Sequence, residues 1–439
     1  MVSDSKYQTI HGFGGSFTQA AAYLYKNLDR STQEQFMKLV FSPEGLHYSL
    51  GRVPINSCDF SPETYNFDNI SDDFDLTEFD RDLKMDEELG MFAMIHDAQS
   101  RTKDTGGLQL LASPWSPPYW MKTDNHEMIG SEMPCLKGDQ RYHRAWAEYR
   151  SLWFQGYAKQ GINFTYHTVQ NEPANYINVW WEQCFFDAQG EADFIANHLG
   201  PVMARDGHNI SLLFYDYNKG GMNDWANVVL SNPNATKYIS GIALHWYDGY
   251  YFDNLRTFQE KYGSQYYQLA TEGCSCDGIL DQEYDTEWKR AMRYVEDILG
   301  DLNAGVVGWM DWSILLNIVE NGAGGPNHSR LKNWCYTHIH VTNSSDLLVY
   351  RSYYTFSHIS RFVVPGSRRI GITMGSSGDG LVCSAFVTPD ESNIVLVAMN
   401  YKINQKTPER QLDISLAGSS DSLYINIPSS SVVTAMIPI

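Results

Sequence analysis

The stretch from Tyr266 to Trp309 indicates the fold, because it contains a strand, a helix and a second strand in succession. It opens with YYQLAT at 266–271, continues through DTEWKRAMRYVEDILGDL at 285–302, and closes with GVVGW at 305–309. The outer runs are short and apolar, whereas apolar residues recur with the period of a helix in the middle segment. Two strands joined by a helix run parallel, so this unit predicts a parallel α/β sheet.

The same alternation continues over most of the chain. Strands are predicted at 8–15, 48–54, 108–113, 164–170, 211–215, 241–246, 266–271 and 305–309, and helices at 32–40, 79–89, 142–160, 192–203, 285–302 and 353–362. Eight strands that alternate with helices are typical of a closed (β/α)8 TIM barrel. The 439 residues accommodate such a barrel together with a smaller domain.

The sequence pattern changes after Pro365-Gly366, a pair that ends the last predicted helix. Short alternating strands are predicted at 380–387, 393–400, 411–416 and 431–438, separated by Gly, Ser, Asn and Asp turns. This pattern predicts a small antiparallel β-sandwich at the C-terminal side of the barrel.

Composition excludes several classes of protein. Hydrophobic residues make up 43% of the chain and charged residues 19%, so it is not disordered, and the net charge of −20 argues against nucleic-acid binding. Aromatic residues reach 14%, and their rings suit stacking against sugars. No run of 18 apolar residues is present, so we expect no transmembrane helix and at most transient contact with lipid surfaces.

The expected location is secreted or lysosomal. Asn-x-Ser/Thr sequons occur at Asn69, Asn163, Asn209, Asn234, Asn327 and Asn343, which favours a secretory route. Residues 1–5 are polar and do not resemble a signal peptide. The seven cysteines form no CxxC pair, and their odd number excludes complete pairing within the chain.

The candidate active-site residues lie at the C-terminal ends of the strands, where such barrels carry their chemistry. Glu172 follows the fourth strand and Glu272 ends the seventh, so the two face each other across the barrel mouth. Glycoside hydrolysis needs such a pair, with one carboxyl group protonated and the other ionised. Glu172 is our candidate acid/base, and Glu272 is the candidate nucleophile because Tyr247 and Arg52 offer donors that favour its charged form.

The segments around both glutamates resemble the acid/base and nucleophile segments of glycoside hydrolase family 30. The motifs that carry the resemblance are 12–16, 52–54, 57–61, 112–118, 168–173, 245–247, 270–274, 308–312 and 324–328. Within the family the chain most resembles the glucosylceramidases, which release glucose from glucosylceramide. The resemblance implies a retaining double-displacement hydrolase without a cofactor, whose barrel (12–363) bears a β-sandwich completed by both chain ends (1–11 plus 364–439).

The resemblance also implies roles for further residues. The glucose-binding set comprises Asp59, Trp115, Asn171, Trp312 and Asn327, and Tyr247 holds the nucleophile. His245 belongs to the same candidate set, although a buried structural histidine is an equal alternative. Asp59 and Asn327 have the alternative of capping a turn.

The sequence supports glucose recognition better than it identifies the leaving group. Trp180, Trp181 and Tyr250 face the region that meets the aglycone, although exposed aromatic residues also serve lipid or dimer contacts. The β-1,6-glucanases of the same family share most of the motifs and are the alternative function, and a non-catalytic sugar-binding protein is a further one. Cys58, Cys274 and Cys276 gather at neighbouring strand ends, but their spacing matches no zinc template, so we expect no metal.

Overall fold

The computed structural model describes residues 2–124, 128–130, 133–176, 181–276, 283–319, 324–329, 335–373, 380–415 and 422–439. Its strands are β1 (Val2–Thr9), β2 (Gly12–Ser16), β3 (Leu50–Ile55), β4 (Gln109–Pro114), β5 (Tyr166–Thr168), β6 (Ser211–Asn218), β7 (Ile239–His245), β8 (Tyr267–Glu272), β9 (Ser275–Cys276), β10 (Val306–Ser313), β11 (Leu316–Asn317), β12 (Cys335–Tyr336), β13 (Ile339–Asn343), β14 (Asp346–Val349), β15 (Arg368–Ile372), β16 (Leu381–Val387), β17 (Asn393–Asn400), β18 (Arg410–Ser415), β19 (Ser422–Ile427) and β20 (Ser431–Pro438). Its helices are α1 (Gln19–Lys26), α2 (Arg30–Phe41), α3 (Lys84–Leu89), α4 (Met91–Thr102), α5 (Gln140–Lys159), α6 (Ala188–Phe194), α7 (Gly200–Arg205), α8 (Met222–Val229), α9 (Pro233–Thr236), α10 (Phe252–Tyr262), α11 (Glu287–Asn303) and α12 (Arg351–Ser360).

The predicted TIM barrel is confirmed. Strands β2 to β8 and β10 form a closed parallel barrel in which β10 pairs with both β8 and β2. Its interior is filled by a cluster of apolar side chains from seven of these strands: Leu50, Leu111, Tyr166, Leu213, Ala243, Leu269, Val307 and Met310. The barrel is therefore a packed core below its mouth rather than a channel.

A separate antiparallel sheet of order β1-β15-β16-β17-β20 combines both ends of the chain. Lys6 of β1 lies opposite Ile370 of β15, and the β18–β19 hairpin contributes Ile414 and Ile427 to the apolar cluster on the face of the sheet. Strands β1 and β20, from the two ends of the chain, therefore belong to one sheet. Asn303 at the end of α11 donates to the Cys383 carbonyl at 3.0 Å, which connects the sheet to the barrel helices.

Two predicted helices differ from the structure. The segment predicted as one helix at 192–203 comprises α6, a π-helical turn at Ile195–Leu199 and α7, with Pro201 at the start of α7. The helix predicted from residue 79 begins only at Lys84, because Leu83 has a left-handed backbone with φ of +52°. Among the described residues, none of the helices has the length and apolar character needed to cross a bilayer.

Candidate active site

The two candidate catalytic glutamates lie at the barrel mouth. Glu272 is the last residue of β8, and Glu172 lies four residues beyond the end of β5. Glu172 has a left-handed backbone with φ of +47°, which costs a residue with a side chain about 1–2 kcal/mol. Its amide donates to the Asp216 carbonyl at 3.0 Å, so the neighbouring strand β6 holds this backbone in place. Strain of this kind concentrates at functional sites.

The two carboxyl groups lie close together with His245 beside them. One oxygen of Glu172, one oxygen of Glu272 and a ring nitrogen of His245 all lie within 4.8 Å of one another. His245 Nδ1 is 3.2 Å from Glu172 Oε1 and 3.9 Å from Glu272 Oε1. This juxtaposition agrees with the strand ends, since β5 and β8 belong to one closed parallel barrel and end at the same mouth.

Glu272 receives a donor on each oxygen. Arg52 Nη1 binds Oε2, and the Tyr247 hydroxyl donates to Oε1 at 2.8 Å. Burial raises the pKa of the Glu272 carboxyl, the His245 and Arg52 cations lower it, and the Glu172 charge raises it again. Both donors stabilise the ionised form of this carboxyl group.

Asp216 is a site residue that the sequence analysis missed. It is fully buried on β6, where Arg52 Nη2 binds Oδ2 at 2.7 Å and His245 Nε2 lies 3.1 Å from Oδ1. The Thr168 and Thr271 hydroxyls also donate to its carboxylate, at 2.8 and 2.6 Å. Burial opposes the charge of Asp216, but Arg52 and His245 outweigh it and hold the pKa of this carboxyl well below its usual range.

The charges of the site do not balance when every group is ionised. Burial lowers the pKa of His245, but the Glu272 charge and the bonds to Asp216 and Glu172 raise it to about 9, so the ring is a cation at neutral pH. Two cations, Arg52 and His245, therefore face three carboxyl groups, those of Asp216, Glu172 and Glu272. Within this cluster the carboxyl groups therefore outnumber the cations by one.

Asp216→Asn should strongly destabilise the protein, because it leaves Arg52 with one carboxylate partner fewer inside the barrel. We expect the free energy of unfolding in urea to fall by about 3–5 kcal/mol, and the pKa of His245 to move down from about 9. Asp285→Asn, which removes an exposed ion pair with Lys289, is the control and should change stability little. Equal stability of the Asp216 variant and the wild-type protein would contradict this role.

Trp115 and Trp312 form an aromatic wall beside the carboxyl pair. Their rings stack with centroids 5.2 Å apart, and the Arg52 guanidinium lies 4.8 Å from the Trp115 ring centroid. Arg52 Nη2 also donates to Asn171 Oδ1 at 2.9 Å, which fixes the Asn171 side chain beside Glu172. Trp181 is half-buried and packs against the apolar cluster that contains both tryptophans.

Asp59 and Asn327 lie together in a loop region beside this wall. The His328 amide donates to the Asp59 carbonyl at 3.1 Å. Asp59 and Asn327 are each 5% exposed. Asn327 Oδ1 accepts the Ser329 amide at 2.8 Å, a hydrogen bond of the kind that the turn-capping alternative predicts. The cis bond between Gly325 and Pro326 precedes it.

The structure describes two of the three residues expected near the aglycone, Trp181 and Tyr250. Trp180 lies outside the described residues, whereas Tyr250 turns its hydroxyl toward the helix layer, 2.9 Å from Glu296 on α11 and 3.0 Å from Tyr284. A disulfide that the sequence did not predict joins Cys135 to Cys184 and connects the loops that follow β4 and β5. This link constrains the segment that contains Trp181.

Residues 10–363 match the glycosyl hydrolase family 30 TIM-barrel domain, and residues 366–435 match the β-sandwich domain of that family. The chain is 32% identical over 421 residues to the mouse lysosomal acid glucosylceramidase, covering 94% of this chain and 78% of that protein. It is 23% identical to the endo-1,6-β-D-glucanase neg1 of Aspergillus fumigatus, covering 99% of this chain and 86% of that one. The crystal structure of SrfJ from Salmonella typhimurium is similar, with a TM-score of 0.86 and 30% identity, over 98% of this chain and 90% of that chain.

Proposed function

The chain belongs to glycosyl hydrolase family 30 and is a glycosidase, and on that premise we propose that it is a retaining β-glucosidase acting on glucosylceramide. The observation that carries the mechanism is the separation of the Glu172 and Glu272 carboxylates, whose oxygens approach within 4.8 Å. Retaining glycosidases keep their carboxyl groups about 5–5.5 Å apart, whereas inverting enzymes leave about 6.5–9.5 Å for a water molecule.

Hydrolysis then proceeds in two displacements. Glu272 Oε attacks the anomeric carbon while the Glu172 carboxyl gives its proton to the glycosidic oxygen, so the carbon–oxygen bond to ceramide breaks and a glycosyl ester forms. Glu172, now ionised, takes a proton from water, and the water oxygen displaces Glu272 from the sugar. Glucose leaves with its original configuration, and Glu172 is again protonated.

Other residues prepare these steps. Arg52 and Tyr247 stabilise the charge of Glu272 before attack and again when it leaves. His245 bridges Asp216 and Glu172 and holds the acid/base carboxyl in place. Trp115, Trp312, Asn171, Asp59 and Asn327 surround the position of the glucose ring in this proposal, and Trp181 lies toward the aglycone.

Ceramide is the leaving group that the likeness to the mouse enzyme favours. The alternative is a β-1,6-glucanase, which the likeness to the Aspergillus protein over 99% of the chain supports at lower identity. Both use the same two glutamates, so the choice concerns only the aglycone side.

A secreted or lysosomal location is part of the proposal. The named relative is lysosomal, and a disulfide is typical of oxidising compartments. Five of the six sequon asparagines are exposed, at 69, 163, 209, 234 and 343, whereas Asn327 is 5% exposed. Lipid contact would then be transient, at the surface that holds the substrate.

The substrate assay compares glucose release from detergent-dispersed glucosylceramide with release from a β-1,6-glucan at matched concentrations between pH 4 and 7. We expect preference for the lipid. Preference for the glucan would retain the mechanism and replace ceramide with a sugar as the leaving group. Inability to cleave either substrate, with a folded protein, would contradict the proposed function.

Tyr247→Phe should lower kcat/KM by about 10–100-fold, because a hydrogen bond to a charged group contributes about 1.5–3 kcal/mol. The Tyr247 donor lowers the pKa of Glu272, so its loss raises that pKa further. Activity requires ionised Glu272 and falls as the pH drops through its pKa, so the acidic limb of the pH profile should move to higher pH. Tyr354→Phe, at an exposed tyrosine, is the control. An unmoved acidic limb would contradict the role of Tyr247.

A further inference from the structure

Three cysteine sulfurs converge directly beyond the nucleophile. Cys274 Sγ lies 2.7 Å from Cys335 Sγ and 3.4 Å from Cys276 Sγ, and Cys276 Sγ lies 3.2 Å from Cys335 Sγ. Cys274 and Cys335 are buried, and Cys276 is partly exposed. The proposed glycosidase chemistry uses none of the three.

The backbone accounts for the convergence. Strands β9 and β12 pair antiparallel, which places Cys335 opposite Cys276. Cys274 precedes Cys276 by two residues, and side chains two apart on an extended segment point to the same side. The spacing is therefore Cys-x-Cys with a third cysteine some sixty positions away, a pattern that sequence templates for zinc do not contain.

We propose that Cys274, Cys276 and Cys335 bind a thiophilic divalent cation of the Zn²⁺ class, and that its binding lowers the glycosidase activity. Thiolate sulfur is the ligand type that such ions select, and a Zn–S bond is about 2.3 Å long. On binding, each thiol releases its proton to solvent and forms one sulfur–metal bond, and the fourth tetrahedral position takes water. The proposal revises the expectation of a metal-free chain and leaves the hydrolytic mechanism without a metal.

The electrostatics favour a cation in this position. Glu272 lies two residues before Cys274, and the buried Asp311 carboxyl also acts on that thiol. Metal binding replaces the protons of these thiols, since the thiolate is the form of cysteine that coordinates a metal.

Tyr247 connects the cluster to catalysis. Its hydroxyl lies 3.7 Å from Cys274 Sγ and donates to Glu272 Oε1 at 2.8 Å. A divalent cation on Cys274 would draw the Tyr247 oxygen toward it and weaken the hydrogen bond that this hydroxyl donates to Glu272, so activity should fall on the order of tenfold, as for loss of a hydrogen bond to a charged group. This consequence rests on the proposed nucleophile role of Glu272, whereas metal binding itself does not.

The test uses the full-length protein, reduced and freed of metal, then incubated with Zn²⁺ or Cd²⁺ and separated from unbound ion. Elemental analysis should find one ion per chain, and the Cd²⁺ form should show a sulfur-to-metal charge-transfer band in the ultraviolet. Cys335→Ser and Cys276→Ser should lose the ion and the band and keep the activity of the metal-free enzyme. Cys383→Ser, which removes a buried thiol of the C-terminal sheet, should keep both.

Glu172, His245 and Glu272 also present three atoms within 4.8 Å of one another, so they are a second place where the ion could bind. Activity measured in parallel distinguishes binding at the three cysteines from binding at this carboxyl pair. Inhibition that disappears in Cys335→Ser supports the proposal. Equal ion content or equal inhibition in that variant would assign the ion to the carboxylates and overturn it, as would absence of the charge-transfer band. Bound metal without inhibition would overturn the link through Tyr247. Because elemental analysis is independent of turnover, failure of the proposed glycosidase function would be visible separately.

Discussion

Glu272→Gln is expected to abolish turnover, with kcat/KM lower by about 10⁴-fold or more. The amide has nearly the same shape as the carboxylate but cannot form the glycosyl ester with the anomeric carbon. It would also leave Arg52 facing one carboxylate, that of Asp216, instead of two. The loss should appear with both poor and activated leaving groups, because attack on carbon is needed for each.

Two controls make this result specific. Glu87→Gln changes an exposed glutamate of α3 and should leave kcat/KM unchanged. Circular dichroism should show that the Glu272 variant keeps its secondary structure. A folded Glu272→Gln protein that retains more than about one hundredth of the wild-type rate would exclude this residue as the nucleophile.

Glu172→Gln is expected to separate substrates by their leaving groups. With glucosylceramide, whose alkoxide needs a proton to depart, kcat/KM should fall by about 10²–10⁴-fold. With a dinitrophenyl β-glucoside, which needs little protonation, the first displacement should be nearly unaffected. Hydrolysis of the glycosyl enzyme then lacks its base, so added azide should accelerate turnover and yield β-glucosyl azide.

The two substrates serve as each other's control in that experiment. Glu172 accepts a hydrogen bond from Asn175 Nδ2 at 3.0 Å. Asn175→Ala offers a second comparison, because it removes this bond and keeps the Glu172 carboxyl group. That variant should show a smaller loss and no azide effect. Equal losses on both substrates in Glu172→Gln would remove this residue from the acid/base role.

The barrel could be predicted from the sequence because each strand is a short apolar run followed by polar residues at the mouth. That regularity also located Glu172 and Glu272, since strand ends in a parallel barrel meet at one face. The same rule explains why Arg52, Tyr247 and His245 lie near the pair.

Asp216 could not be found in this way because β6 is irregular at that point. Tyr215 and Asp216 have φ values of +79° and +45°, and the pairing of β6 with β7 shifts register between Tyr215 and Tyr217. Such a bulge changes the direction of a side chain, so simple alternation assigns it to the wrong face. The predicted strand ended at Tyr215, one residue before Asp216.

The break in the helix predicted at 192–203 and the contact between Cys274 and Cys335 were not predicted from the sequence, for two different reasons. Pro201 lacks the amide that an uninterrupted helix needs, a signal that was present in the sequence but outweighed by apolar periodicity. Cys335 lies 61 residues from Cys274, and only the pairing of β12 with β9 brings the two together. Contacts of this kind depend on tertiary structure rather than on local pattern.

Trapping of the covalent intermediate tests the central claim, that Glu272 attacks the sugar. A 2-deoxy-2-fluoroglucosyl fluoride slows both displacements but keeps a good leaving group, so the glycosyl enzyme should accumulate. Peptide mass spectrometry should then locate one fluoroglucosyl group per chain on Glu272, and released products of ordinary substrates should retain the β-configuration. A label on Glu172 or another residue, or products of inverted configuration without any label, would contradict the account.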